Sequence, residues 1–430
     1  MSGNVDDRWR ARFFTIWTGQ QLSLIGTTVG SFALIWWLTT TTGSATVLAT
    51  ASMVAVVPAI LLSPFIGALV DRWNRKRIIL ISDMFIALIS LWLAYLFWSG
   101  AMLVWHVYVV LIARGLGSSF HSPAMTASTT LMVPKRHLTR ISGLNMTVGG
   151  AQGIIGPPLG ALLLVLLPLH GVMLVDVGTA LFAVLPLLFL AIPQPDRAPA
   201  GATTLRSVVA DTVETVRLIV RWRGLMALLG VLLVMKLFIT PAFSLSPLLV
   251  FKHFGRGATD LSLLQALAGA GIVTGGLIMG AWGGFRRKVV TMLIGLAGVG
   301  LGVSVMGFAP ITFFPVALAG RLLIGLMLPV ASAPHTAIMQ ATIPPHMQGR
   351  FFATLASLFS LTMPIGLAIA GPFSDAFGVA SWYRLGGLIA MGAAVAGFFL
   401  PSLMRIEEEA GALRFSREQQ DESPQAGTAD

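Results

Sequence analysis

The chain contains no cysteine and little charge: Asp, Glu, Lys and Arg make up 10% of its 430 residues, where a soluble chain averages about 25%. The absence of cysteine excludes disulfides, thiolate metal sites and cysteine nucleophiles, and leaves the redox compartment open. Acids are scarcer than bases, 17 against 28, and deeper than the first turn of the apolar runs only Asp83 and Asp176 remain. The zinc helix H-E-x-x-H, the serine elbow and the Walker lysine loop are all missing. His170 and Asp176 have the wrong spacing for an acyltransferase H-x4-D pair. These gaps argue against a membrane enzyme and against an ATP-driven pump, and no residue set points to a metal or a cofactor.

What the chain has instead is apolar length. Apolar residues make up 56% of the total, glycines number 46, and the mean hydropathy is +0.84. Twelve apolar segments can be marked off, near 13–38, 45–70, 78–99, 103–126, 141–166, 171–192, 224–250, 258–282, 289–309, 311–334, 351–372 and 378–402. A spanning helix needs about 20 residues, so the pattern predicts an all-α membrane protein with twelve transmembrane helices. Arg8, Arg10 and Arg12 precede the first segment, which shows no small-residue cleavage site. It reads as a retained span and not as a signal peptide.

The bases follow a topology. With the amino terminus in the cytoplasm, inner loops collect Arg72, Arg75, Lys76 and Arg77, then Lys135, Arg136 and Arg140, then Arg286, Arg287 and Lys288, while outer loops hold only Lys252 and Arg256. This positive-inside asymmetry places both termini in the cytoplasm. The formal charge of +11 is therefore a topology device and requires no nucleic-acid partner. Four bases, Arg114, Lys236, Arg321 and Arg384, fall inside spans, where a charge costs about 2.5 to 3.5 kcal/mol.

The two halves echo each other at an offset of about 210 residues: Arg114 matches Arg321, and Arg140 and Gly156 match Arg350 and Gly366. The expected division is an N-terminal six-helix bundle over 1–192, a cytoplasmic linker with an amphipathic helix over 193–223, a C-terminal six-helix bundle over 224–402, and a polar, disordered cytoplasmic tail over 403–430. Such a chain reads as two similar bundles around a central cavity.

The sharpest knot of charge is GALVDRWNRKR, residues 67–77. It resembles the loop signature G-x-L-x-D-R-x-x-R-[KR]-[RK] of the major facilitator superfamily, and the resemblance implies a gating latch made of Gly67, Asp71, Arg72, Arg75 and Lys76. The physics fits the residue types. Gly67 lets two helices approach closely, Asp71 one turn later can accept from exposed amides at the start of a facing helix, and the bases hold the loop at the anionic inner leaflet. In the family that facing helix is span eleven, which begins here near Gly349 and Arg350. Gly284 stands where the second copy of the motif would need its acid, so the latch is expected to be one-sided.

In span five, Gly156-Pro157-x-x-Gly160 resembles the core of the superfamily's antiporter signature, with Gln152 in place of an upstream glycine; helix packing is the competing role for these small residues. Arg114 resembles a span-four arginine involved in proton coupling, with a structural arginine bonded to carbonyls as the alternative. His121, on the same helix face, reads as a buried, hydrogen-bonded histidine. Asp176 is a candidate proton carrier, since a desolvated carboxyl has a raised pKa, and Asp83 is expected to pair with the latch bases. Lys236 and Arg321 join the proton-coupling or substrate candidates on the cost of intramembrane charge alone. Gln21, together with Gln20, Asn145, Gln152 and Gln265, can offer hydrogen bonds to a substrate.

The stretches FFTIWTGQQLSLIGTTVGSFALIWWLTTTTGSA, VDRWNRKRIILISD, LVDVGTALFA and TMPIGLAIAGPFSDAFG are similar to the macrolide-efflux branch of proton-driven drug antiporters, which also contains siderophore exporters. The similarity implies a monomeric exporter in the bacterial cytoplasmic (inner) membrane, moving a bulky amphipathic compound outward by alternating access as protons flow inward. A siderophore or lipid-like metabolite exporter is the alternative within transport, and a non-transporting receptor of the same fold lies outside it.

Overall fold

The computed structural model describes residues 3–194, 222–343 and 345–408, with the backbone alone at some positions, among them Gly67, Asp71, Arg72, Gly349 and Arg350. The amphipathic helix expected in the linker falls mostly on 195–221, and the tail on 409–430, both outside the described residues. All regular structure among the described residues is helical. Twelve long helices run in chain order: α1 Gly3–Thr42, α2 Ala45–Arg72, α3 Arg75–Trp98, α4 Val104–Met132, α5 Leu138–Leu166, α6 Leu169–Phe189, α7 Arg223–Ser244, α8 Ala258–Trp282, α9 Lys288–Phe308, α10 Pro315–Thr342, α11 Pro345–Phe377 and α12 Val379–Phe398.

Eleven of these carry a stretch long and apolar enough to cross a membrane. The exception is α4, whose Arg114, His106, His121 and run of Ser and Thr lower its mean hydropathy. Sharp turns separate the helices. Gly43 adopts φ +57°, a left-handed conformation open mainly to glycine, so α1 can end and α2 begin within two residues. Asn74 does the same work between α2 and α3 by accepting from the Arg77 amide at 3.1 Å, a helix N-cap.

Within the first half, α1 packs on α5 and α6, α3 on α4 and α6, and α2 on α4; within the second, α9 packs on α10 and α12, α8 on α10, and α7 on α11 and α12. The halves meet where α2 crosses α11 and where α5 crosses α8. Glycine sets the closest crossings: a Cβ built on either Gly271 of α8 or Gly325 of α10 would lie 2.9 Å from the Cα of the other. With lipid as solvent there is little hydrophobic gain from helix association, and close backbone contact through small residues supplies the attraction.

One end of the molecule is open. The first half of α5 is exposed around most of its circumference, with Met146 at 80%. A Cβ on Gly149, Gly150 or Gly153 of α5, or on Gly276 or Gly280 near the end of α8, would meet nothing within 4 Å. These two helices touch only further along, where Gly269 lies against Ile154. The halves thus part at the end carrying the α2–α3, α4–α5 and α8–α9 turns.

The packing makes a direct prediction. Gly325→Leu, which forces α8 and α10 apart, is expected to destabilise the protein by about 1–3 kcal/mol, whereas Gly276→Leu, facing open space, is tolerated. Thermal unfolding of the two purified variants in detergent checks this; equal midpoints would contradict the close-crossing account.

Candidate functional site

The arginine of α4 is neutralised by the acid of α6. Arg114 Nη2 pairs with Asp176 Oδ2, the two side chains being 7% and 3% exposed. Around them, Ser90 of α3 accepts from Arg114 Nη2 at 2.7 Å and donates to Asp176 Oδ2 at 2.9 Å, Thr27 of α1 donates to Asp176 Oδ1 at 3.0 Å, and Ser31 accepts from Arg114 Nη1 at 3.3 Å. Four helices therefore meet on one ion pair. Arg114 is held by a carboxylate and hydroxyls, not by the carbonyls that the sequence left as its alternative.

Asp83 forms a second cluster on the same four-helix core. Its Oδ2 accepts from Gln20 Nε2 at 2.7 Å, and its Oδ1 lies 3.1 Å from His121 Nε2. The same His121 nitrogen is 2.9 Å from Gln20 Oε1. His121 Nε2 thus faces an oxygen of each of these two side chains. A cavity of about 50 Å³ touches both clusters, lined by Gln20, Thr27, Asp83, Ser118, His121 and Asp176 among others. That is space for one or two waters. The expectation that Asp83 pairs with the latch bases is not met: Arg75 Nη1 donates to the Ala127 carbonyl at 3.4 Å and Lys76 Nζ to the Leu188 carbonyl at 3.3 Å. Those bases serve neighbouring helix ends, while Asp83 lies on the buried face of α3 toward α1 and α4.

The α5 motif forms the seam with α1. A Cβ on Gly156 would lie 2.6 Å from Thr28 Cγ2, and one on Gly160 would lie 2.9 Å from the Phe32 ring; Pro157 is buried between them. Several of the amides expected to meet a substrate bond within the protein instead. Gln152 Nε2 donates to Gln21 Oε1 at 3.0 Å and to the Gln21 carbonyl at 3.1 Å, and Trp17 Nε1 donates to Asn145 Oδ1 at 2.6 Å.

In the second half the intramembrane bases find aromatic rings. Lys236 Nζ of α7 sits 5.4 Å from the centre of the Phe359 ring, and Arg321 of α10 sits 4.7 Å from that of Phe243. Arg321 Nε and His335 Nε2 are buried with no hydrogen-bond partner among the described residues. The cavity beside them has a volume of about 380 Å³ and is lined by Lys236, Phe243, His335 and Phe359 within an otherwise mainly aliphatic wall.

The latch residues Gly67, Asp71 and Arg72, with the facing Gly349 and Arg350, have side chains outside the described residues. A carboxylate contact on a helix start is seen at the other end of the same helix pair. Asp375, near the end of α11, accepts from the Ala45 amide at 2.6 Å, the Thr46 amide at 2.9 Å and the Ser44 hydroxyl at 2.8 Å. A carboxylate on the exposed amides of a helix start is favourable through both hydrogen bonding and the helix dipole. One turn earlier, a Cβ on Gly371 would lie 2.9 Å from Thr46 Cα. Sequence reasoning missed this contact although its signal was present: Gly371-x-x-x-Asp375 repeats the spacing of Gly67-x-x-x-Asp71. The structure thus holds a Gly/Asp contact on the start of α2, away from the Gly284 position where the repeat of the latch motif lacks its acid.

Comparisons with known proteins agree with this architecture. The family model of the Major Facilitator Superfamily matches residues 16–255 and 227–426. The chain is 31% identical over 384 residues to macrolide efflux protein A of Streptococcus pyogenes, covering 89% of this chain and 94% of that protein. It is 27% identical over 395 residues to the multidrug efflux pump Tap of Mycolicibacterium fortuitum, covering 89% and 93%. Among solved structures, a bacterial homologue of the iron transporter ferroportin in an inward-facing state superposes with a TM-score of 0.65 over 94% of this chain and 98% of that one, at 14% identity, a likeness of fold.

Breaking a buried ion pair from one side leaves the partner charge uncompensated, at a cost of about 3–5 kcal/mol. Asp176→Leu is therefore expected to lower the unfolding midpoint sharply, and Arg114→Met combined with Asp176→Leu to regain most of the loss. A double variant no more stable than the single one would show that the pair is not the source of the effect.

Proposed function

Because the chain belongs to the Major Facilitator Superfamily, we propose that it is a proton-coupled exporter of bulky amphipathic compounds, macrolide-like drugs among them, that works by alternating access. The observation that carries the export reading is the 31% identity to a macrolide efflux protein along 94% of that protein's length. The chain is a multi-pass membrane protein. We place it in the bacterial cytoplasmic membrane as a monomer with both termini inside, following the asymmetry of its loop bases.

In that orientation the α1–α2 turn lies outside and the open cleft faces the cytoplasm. Asp375 on the start of α2 closes the outer end, which makes this the inward-facing state. The Gly67–Lys76 latch on the start of α11 closes the inner end in the opposite state. As the halves rock, one contact forms while the other breaks, and the substrate site is exposed to each side in turn.

Asp83 and His121 are the proposed proton carriers. A histidine and a carboxylate in contact can pass a proton between them with small rearrangement. Asp176 is a poorer carrier, because protonating it would leave Arg114 without its counter-charge. Its role in this reading is to hold α1, α3, α4 and α6 together beside the carrier. Gln20 links the carrier to α1, which packs on α5 and α6, so a change of protonation has a path into helix packing.

Two outcomes are expected. In everted vesicles loaded with a pH-sensitive dye, added erythromycin produces proton movement with the native protein and none with Asp83→Asn at equal expression; unchanged movement in the variant would remove Asp83 from the carrier role. With spin labels on Ser99→Cys and Thr312→Cys, one at the outer end of each half, Asp375→Asn shifts the distance distribution to longer values. An unaltered distribution would mean that the Asp375 contact does not hold the outer end closed.

A further inference from the structure

The second half distributes its charge differently from the first. Its described acids are Asp260, Asp375, Glu407 and Glu408, and each is engaged at a helix end: Asp260 with Arg256 at 3.1 Å, Asp375 with the start of α2, Glu407 with the Val289 amide at 2.8 Å, and Glu408 with Arg287 at 3.4 Å. None is left for the interior. Lys236 and His335 nevertheless line one cavity of about 380 Å³, and Arg321 lies against the ring of Phe243 in its wall. Residue by residue, the contrast with the first half is sharp: Arg114 has Asp176, while Arg321, its counterpart in the repeat, has the face of Phe243.

A ring face is a weak substitute for an anion, and Lys236, which lines the cavity, is exposed, so its ammonium is open to a ligand. The cavity wall combines two features that together define a ligand. Lys236 Nζ and the imidazole of His335 supply positive charge and donors, and Phe243, Phe359 and the aliphatic residues between them supply an apolar surface. The volume lies within the range of small-molecule sites. From this geometry we propose that the α7–α10–α11 cavity binds an amphipathic organic anion, with its acid group on Lys236 and His335 and its apolar body between Phe243 and Phe359. This rests on the exporter reading for its biological meaning, and adds to the macrolide-like drugs, which carry a basic amine, a class of substrate that carries an acidic group. Arg321, behind Phe243, adds positive potential to the wall without touching the cavity.

The test uses the full chain in nanodiscs of zwitterionic lipid, with empty discs as background, and three probes that share one aromatic body: 1-pyrenebutyrate, the neutral 1-pyrenebutanol and the cationic 1-pyrenebutylamine. Binding is read from quenching of protein tryptophan fluorescence. The carboxylate is expected to bind about tenfold more tightly than the alcohol, equivalent to about 1.4 kcal/mol, and the amine most weakly. In Lys236→Gln the advantage falls to about threefold or less, and in Lys236→Arg it is kept. Equal binding of carboxylate and alcohol by the native protein, or an advantage that survives Lys236→Gln, overturns the proposal. If Lys236→Gln does not fold, the order of the three probes on the native protein decides alone. Failure here is distinguishable from failure of the exporter reading: erythromycin export without carboxylate preference removes only the anion site. Carboxylate preference without export of any compound leaves the site and removes the exporter.

Discussion

A charge in the apolar interior needs either a counter-charge or access to water, and the two halves of this protein meet that constraint in opposite ways. In the first half the requirement is met internally. Arg114 and Asp176 neutralise each other, Ser90, Thr27 and Ser31 occupy their remaining hydrogen-bonding capacity, and α1, α3, α4 and α6 are fixed relative to one another by the same few atoms. Removing either partner would leave a bare charge, so the cluster resists rearrangement. In the second half no carboxylate answers Lys236 or Arg321 among the described residues, and both lean on aromatic faces at the wall of a sizeable cavity. One half is electrostatically complete and the other is poised for a partner.

Much of the architecture was legible because the bilayer constrains composition directly. The segment marked at 258–282 coincides with α8, and that at 289–309 is α9 to within a residue. Other helices overrun their segments: α1 extends to Gly3–Thr42 around 13–38, and α11 to Pro345–Phe377 around 351–372. Apolar length reports the membrane-immersed part of a helix, and the polar turns at its ends continue into water or headgroups unseen. The segment near 224–250 overshoots instead. Pro247 lacks an amide hydrogen, and α7 ends at Ser244 before a short helical turn at Ser246–Leu248.

The need for a partner at Arg114 was also legible, since intramembrane charge has a known cost. The identity of the partner was clear only in three dimensions, because Asp176 lies 62 residues away on another helix. Asp83 illustrates the opposite error. Its nearness in sequence to Arg75, Lys76 and Arg77 suggested a pair with them, but a helix separates residues by face as well as by distance, and the buried face of α3 turns Asp83 to Gln20 and His121. Asp375 was overlooked because its acid stands in a short stretch with none of the flanking bases that mark Asp71. Those bases report the inner leaflet, whereas the helix-start contact needs only the glycine and the acid one turn later.

The two Gly-x-x-x-Asp sites lie at opposite ends of the same pair of helices, and this gives the pair a simple energetic logic. A carboxylate on a helix start is worth about 0.5–2 kcal/mol. On the reading that Asp71 serves α11 as Asp375 serves α2, the two closed ends are matched in kind, so neither state is strongly favoured by its latch alone. Small differences then decide the population: a proton on a carboxylate in the first half, or a ligand bridging the second half to the cleft. A difference of about 1.4 kcal/mol shifts such an equilibrium tenfold, which is within reach of a single charge gained or lost. A much stronger contact at either end would trap the protein in one state, which is a physical reason for both sites to rely on one carboxylate and a few amides instead of a network of buried ion pairs like that around Arg114.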